Sequence, residues 1–368
     1  MEYEEPLFFR VMEYAAGADR DVVDMVSGNP DWGSPPALAA GLRDYADAGG
    51  EAFQYPPSEG LRALREEIAA RRGVDREQVV VTNGAGEANY LAMGRALERD
   101  AGSEVVMADP VYPYYPGKVD MLGGEQVFVE ADADGGLDPG DVRDAASEDT
   151  ACIVATTPNN PTGAVYGEAT MRELVAVAEE YDALLVSDEV YDHFDFSGRF
   201  TSALAFDSPN RVVVNSFSKS LAVTGFRVGY CVAPEAHVDA MKSRHMLTNV
   251  ATTRPGQAAV LHALRNTGPD YYRENRERLA ARVATFTDAL DDAGAEYTEP
   301  DGGFYVLARF PDFPGTLANT FELVDEAGVA GMPGSGFGRS RGDWLRFALV
   351  TPRVEEAAER LADYFAGR

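Results

Sequence analysis

The fold turns on Val212-Val213-Val214-Asn215-Ser216-Phe217-Ser218-Lys219. Side chains of a strand alternate between its two faces, so three successive valines need apolar cover on both. Polar residues follow at once. Lys219 among them is flanked by Phe217, Leu221 and Val223, the setting of a buried cleft and not of a solvated surface. The same order, an apolar run and then small polar residues, recurs along the chain. Residues 79–81 lead into Thr82-Asn83-Gly84-Ala85-Gly86, and 105–107 into Ala108-Asp109-Pro110-Val111-Tyr112. Residues 153–155 lead into Thr156-Thr157-Pro158-Asn159-Asn160-Pro161-Thr162-Gly163, and 184–186 into Ser187-Asp188-Glu189-Val190-Tyr191. Further apolar runs stand at 127–129 and 229–233.

Amphipathic stretches such as 88–97 and 170–181 lie between these runs. An earlier helix reads from Ser58, as its cap, through Leu61, Leu64 and Ile68 to Gly73. Strands alternating with helices predict an α/β fold with a mostly parallel sheet sandwiched by helices. The rhythm breaks after about residue 265. A charged helix over 271–290, a strand over 303–309, an apolar helix, a strand near 344–349 and a last helix predict a smaller α+β domain. The expected division is an N-terminal arm, 1–35, packing with the small domain, then a large cofactor-binding domain, 36–265, and the small domain, 266–368.

Charge narrows the function. Sixty-one acidic residues against 32 basic ones give a net charge of −29, which repels nucleic acid and anionic membranes. Acidic disordered chains lack aromatics, and this chain has 10%. The composition therefore predicts a folded protein with an acidic surface suited to high salt, a halophilic trait. No apolar run approaches the roughly 20 residues that span a bilayer. The acidic opening MEYEEPLFFR has no basic region and apolar run of a signal peptide, which predicts a cytoplasmic protein. Cys152, Cys231 and four histidines are too few and too scattered for a disulfide scaffold or a metal site. Only three lysines occur, Lys118, Lys219 and Lys242, against 29 arginines, so lysine chemistry has three candidates. Lys118, after Pro116-Gly117, reads as a loop residue. Lys242 reads as part of a solvated helix over 235–247.

Ligands of open α/β sheets bind beyond the carboxyl ends of the strands. Each polar residue there has a plain role open to it. Asp188 could cap a helix, Asn160 could form a turn before Pro161, and Gly84-Ala85-Gly86 could be a tight turn. The glycines fail as a dinucleotide fingerprint, because Asn89 stands where the third glycine belongs. Neither a Walker loop nor a Gly-x-Ser-x-Gly elbow occurs. Together the residues suit one ligand. A buried lysine, its pKa lowered by desolvation, forms a Schiff base. A phosphate fits the helix start after Gly86, completed by Ser216, Ser218 and Arg227. Asp188 suits a protonated pyridine nitrogen, Tyr112 a stacking role, and Asn160 with Tyr191 a phenolic oxygen. Those are the parts of pyridoxal 5'-phosphate.

With these motifs the chain resembles the fold-type I pyridoxal-phosphate enzymes, and most of all the class I and II aminotransferases related to aspartate aminotransferase. The resemblance rests on Asn159-Asn160-Pro161-Thr162-Gly163, Ser187-Asp188-Glu189-Val190-Tyr191 and Ser216-Phe217-Ser218-Lys219 with Thr224-Gly225-Phe226-Arg227-Val228-Gly229-Tyr230. Tyr55 ahead of Gly60-Leu61, Asp109-Pro110-Val111-Tyr112 and Met332-Pro333-Gly334-Ser335-Gly336-Phe337-Gly338 extend it from about Gly28 to the C-terminus. It implies that Lys219 holds the cofactor as an internal aldimine and shuttles the proton, with Asp188 at the ring nitrogen and Asn160 and Tyr191 at the phenolic oxygen. It also implies a phosphate held by the Ala85 and Gly86 amides, Ser216, Ser218 and Arg227, and reached by Tyr55 from the neighbouring subunit of a homodimer. Arg346 is the implied clamp for the substrate α-carboxylate, helped by the Gly28 backbone. Two departures are Gly86, where many relatives carry serine, and Tyr112 in place of tryptophan.

The activity so implied moves an amino group between an L-amino acid and a 2-oxo acid, with 2-oxoglutarate as one partner. A carbon–sulfur lyase, decarboxylase or synthase on an amino-acid-derived substrate is the alternative on the same cofactor. A non-catalytic binding protein needs no Schiff-base lysine. Arg254, just before Pro255, is a candidate for a distal substrate carboxylate, with a surface position as the plainer reading.

Overall fold

The computed structural model describes residues 6–366. It begins with helix Leu7–Ala16 and a short strand, β1 (Val23–Asp24). Seven strands follow: β2 (Val79–Thr82), β3 (Glu104–Asp109), β4 (Glu125–Glu130), β5 (Thr150–Thr156), β6 (Leu184–Asp188), β7 (Arg211–Ser216) and β8 (Gly229–Val232). Each grows from one of the apolar runs. They join in the order β2-β8-β7-β6-β5-β3-β4, parallel except where β8 meets β2 and β7. The connection from β7 to β8 holds two short helical turns, Phe217–Ser220 and Thr224–Phe226, and no crossover helix of the kind that returns a parallel strand. That reversal carries Ser218, Lys219 and Arg227 within one loop.

Alternate residues divide between two cores. Val79, Val81, Ile153 and Val213 pack on one face with Leu64, Leu174 and Val260 from covering helices. Val80, Cys152, Val154 and Val214 pack on the other with Leu91, Met93 and Met241. Both cysteines are free, and burial raises their thiols above the ordinary range. Every residue of β5, β6 and β7 is buried, whereas β4 exposes Glu125 and Glu130 at the sheet edge, where charge blunts further pairing.

The C-terminal part contributes β9 (Glu296–Tyr297), β10 (Tyr305–Arg309), β11 (Val329–Ala330), β12 (Met332–Pro333) and β13 (Leu345–Ala348). Four of them form an antiparallel sheet in the order β12-β13-β10-β9. Helices Pro269–Asp292 and Val354–Ala366 cover it through Phe286, Leu290 and Leu361. Strand β1 pairs with β11 in parallel, Val23 against Val329, so residues 23–24 lie on this second unit. Val11 and Val26 there pack with Ala330, Met332 and Phe337.

Three local expectations need correction. The helix expected from Ser58 is Arg62–Arg72, and Gly73 ends it in the left-handed conformation as read. Leu61 replaces Ser58 at its start because the Leu61 N–H donates to Gln257 Oε1 at 2.7 Å, a partner 196 positions away. Lys118 lies in helix Tyr114–Leu122 and not in a loop. Pro116 sits in its first turn, where a missing N–H leaves no bond unmade. Lys242 lies in helix Glu235–Asn249, which buries His237, Val238, Met241 and His245 against the sheet and is solvated on one side only. Among the described residues no helix is long and apolar enough to cross a membrane.

Candidate active site

A cavity of about 570 Å³ opens beyond the carboxyl ends of β5, β6 and β7 and is closed by residues of β10, β12 and β13. Lys219 enters it from the first turn after β7. Its Nζ donates to the Gly28 carbonyl at 2.6 Å and stands 5.9 Å from the Phe304 ring centre. Burial pushes its pKa below the ordinary lysine value, and Arg346 and Arg227 push the same way against Tyr305. Disfavouring the ammonium form in this way favours the nucleophilic amine. Gly28 has to be glycine, since a Cβ there would lie 2.2 Å from the Tyr305 hydroxyl.

Asp188 ends β6 and is 4% exposed. Burial raises its pKa, while donors oppose that rise: Tyr115 Oη at 2.5 Å, Asn89 Nδ2 at 2.6 Å and the Val190 N–H at 3.2 Å. A cation placed opposite would favour the ionised form further. Tyr191, on the turn after β6, meets the Tyr305 hydroxyl at 3.2 Å. Asn160 and Tyr112 complete the walls around them.

At the other end lies an anion cradle. Ala85 and Gly86 open helix Gly84–Leu97, whose first N–H groups have no helical partner. Gly229 lets β8 pass beneath them, because a Cβ there would lie 2.5 Å from the Gly84 backbone. Ser216 Oγ accepts from the Ser218 N–H at 2.9 Å, and the buried Ser218 Oγ has no partner. Arg227 adopts the left-handed conformation and anchors on the Thr224 and Asn83 carbonyls at 3.0 and 3.1 Å. Hydroxyl, amides and guanidinium converge there without an anion of the chain's own.

Arg346, on β13, is 5% exposed. Its guanidinium lies 4.4 Å from the Tyr305 ring centre and 5.0 Å from that of Phe337, and donates to the Val26 carbonyl. Its Nη1 reaches Asn160 Oδ1 at 3.5 Å, and its Nε has no partner. Among the described residues it forms no ion pair. A buried, stacked arginine with an open donor is built for a carboxylate from outside.

A family profile described as aminotransferase class I and II matches residues 20–361. The chain belongs to the class I and II aminotransferases. A probable aspartate/prephenate aminotransferase of Thermus aquaticus is 33% identical over 93% of this chain and 91% of its own length. An aspartate aminotransferase of Pyrococcus horikoshii is 30% identical over 94% and 91%. The solved aspartate aminotransferase of Thermus thermophilus, as a single mutant, superposes with a TM-score of 0.90 at 30% identity, covering 98% of this chain and 97% of that one. That of Thermotoga maritima gives 0.90 at 28% identity, covering 99% and 98%.

Aminotransferases of this family are pyridoxal-phosphate-dependent. The residues present fit that group: an unpartnered Ser218 hydroxyl in an anion cradle, a carboxylate wanting a cation, and an amine between them. The cavity brings together all the site residues expected from the sequence except Tyr55. Tyr55 is 83% exposed and stands outside this cavity. Arg254 is also elsewhere. It starts helix Arg254–Asn266 and donates to the Glu51 and Gln54 carbonyls at 3.0 and 2.9 Å, bracing the Tyr55 turn, and it does not line the cavity of its own chain. Asn89, Tyr115, Tyr305 and Lys118 were missed by the sequence reading. For Asn89, Tyr115 and Lys118 the available signal was a polar side chain on a helix face that otherwise packs inward, whereas Tyr305 lies on strand β10.

Proposed function

We propose that this aminotransferase moves an amino group between an L-amino acid and a 2-oxo acid, with 2-oxoglutarate as one acceptor. The carrying observation is the placement of Lys219 Nζ, Asp188 and the unpaired Arg346 around one cavity. Pyridoxal phosphate, when bound, supplies an electron sink for the Cα of the amino acid. The chain does the rest. Ala85, Gly86, Ser216, Ser218 and Arg227 hold the phosphate. Asp188, oriented by Tyr115 and Asn89, would face the ring nitrogen and favour its protonated form. Tyr112 would pack on the ring, with Asn160 and Tyr191 as donors toward its phenolic oxygen. Arg346 would grip the substrate carboxylate beside Gly28, and Lys219 Nζ would accept and carry the substrate's Cα proton. The test is a substrate panel with single-turnover spectra. Conversion of the cofactor to its amine form by L-aspartate or L-glutamate, reversed by 2-oxoglutarate, is expected. Consumption of amino acid without that conversion would mean a lyase or decarboxylase.

A homodimer belongs to this reading, on the support of exposed Phe53 and Tyr55 at 55% and 83%. Tyr55→Phe should weaken cofactor retention by about 0.5–1.5 kcal/mol, one hydrogen bond's worth. A fully active monomer by light scattering would contradict the assignment. The large unit of residues 36–265 and the small one of 266–368 are proposed as the working domains, in a cytoplasmic, salt-adapted protein. The ion pairs that bridge its surface are mostly exposed and individually weak, so self-repulsion of the −29 charge governs its salt response. The melting temperature should climb from dilute buffer to molar potassium chloride, and a flat profile would refute the salt adaptation.

A further inference from the structure

Two of the three lysines have partners. Lys219 donates to Gly28, and Lys242 pairs with Asp239 at 3.2 Å. Lys118 is different. Among the described residues its ammonium makes no hydrogen bond and no ion pair, although it is half-buried and lines the active-site cavity. It stands 5.4 Å from the centre of the Tyr115 ring. An ammonium against an apolar wall loses hydration that a surface site would preserve.

Tyr115 links this charge to Asp188. The phenol donates to Asp188 Oδ2 at 2.5 Å and accepts from Thr156 Oγ1 at 3.2 Å. A cation over a phenol ring draws electron density from it and strengthens the O–H as a donor. The ammonium also acts on the carboxylate through space, favouring its charged form. We propose that Lys118 is a positioning residue for Asp188: its ammonium, seated on Tyr115, keeps the Asp188 carboxylate in its ionised, accepting form. The inference rests on the pyridoxal-phosphate reading for its effect on the cofactor, and on this chain alone for the coupling.

The surroundings agree. Burial lowers Lys118 to about 8, and Asp188 is the group whose field opposes that fall. Its own helix adds Tyr114, Tyr115 and the exposed Asp120, the turn after β3 adds Tyr112, and helix Gly84–Leu97 faces the site with the uncharged Asn89. Lys219, Arg227 and Arg346 line the same cavity.

The experiment uses the full chain loaded with pyridoxal phosphate. The pH titration of the bound cofactor's absorbance is compared for the unmutated protein, Lys118→Met and Lys118→Arg. Removing a cation raises the proton affinity of the groups it faced, so Lys118→Met should move the midpoint up by about 0.5–1 pH unit, and Lys118→Arg should restore it. A second readout needs no cofactor. Carbon-13-labelled lysine gives three side-chain signals, and the one absent from Lys118→Met should titrate below the ordinary lysine range. Asp188→Asn should move it lower still, because the carboxylate that favours the charged amine is gone. An unmoved cofactor midpoint in Lys118→Met, or a Lys118 signal indifferent to Asp188→Asn, overturns the proposal. So does a Lys118→Met enzyme altered only in KM for dicarboxylic over neutral substrates, which would make Lys118 a substrate contact. Failure to take up cofactor, with the Lys118 signal still answering to Asp188→Asn, refutes the cofactor reading and supports the coupling.

Discussion

Lys219→Ala should still retain pyridoxal phosphate, lose the absorbance of the lysine-bound cofactor, and lose nearly all turnover. Retention follows from the cradle, whose amides, hydroxyls and guanidinium do not include Lys219. The loss is large because the proposed mechanism gives one amine two duties, covalent anchor and proton carrier. The second alone is worth about 10²–10⁴-fold. No other lysine can take over. Lys242 pairs with Asp239 on its own helix, outside the cavity, and Lys118 lies over Tyr115 on the Asp188 side of it. Single-turnover spectroscopy checks the outcome. An alanine variant turning over within tenfold of the parent would remove Lys219 from the mechanism.

Arg346→Lys is the second large effect. The charge is kept and the fork is lost. Lysine cannot lie flat between Tyr305 and Phe337, donate to Val26 and still offer two parallel N–H groups to a carboxylate. A charge-assisted hydrogen bond is worth about 1.5–3 kcal/mol, which is roughly tenfold to a hundredfold in kcat/KM. Specificity of bond cleavage should suffer too. The fork fixes which bond of the substrate's Cα faces Lys219, so a loosely held carboxylate gives a greater share of decarboxylation. Product analysis by mass spectrometry measures that share. An unchanged ratio with an unchanged KM would show that Arg346 does not grip the substrate.

Residues at strand ends were legible and residues on helices were not. Lys219, Asp188, Asn160 and Tyr191 each follow a strand that announces itself as an unbroken apolar run, so the polar residue after it is placed by the sheet alone. Asn89 and Tyr115 reach Asp188 from helices packed over the sheet, and their approach depends on helix position, which periodicity does not give. Lys118 was misread because Pro116-Gly117 signals a turn, whereas a proline in the first helical turn breaks no bond. The orientation of β8 was equally hidden, since an apolar run reads the same in both directions. The start of Arg62–Arg72 was set by a glutamine nearly two hundred residues on, a signal with no local trace.

Residues 23–28 tie the two working side chains to one strap. Its Gly28 carbonyl holds Lys219 across 191 positions of sequence, and its Val26 carbonyl holds Arg346 across 320. The strap itself is moored by β11, near residue 330. During synthesis on the ribosome, then, the large sheet can close while the strap still has nothing to dock on. Contacts of such long range are the slow ones to form. The two side chains are drawn into register only when the final tenth of the chain has emerged, so a nascent chain with a finished sheet still lacks Arg346 at the cavity.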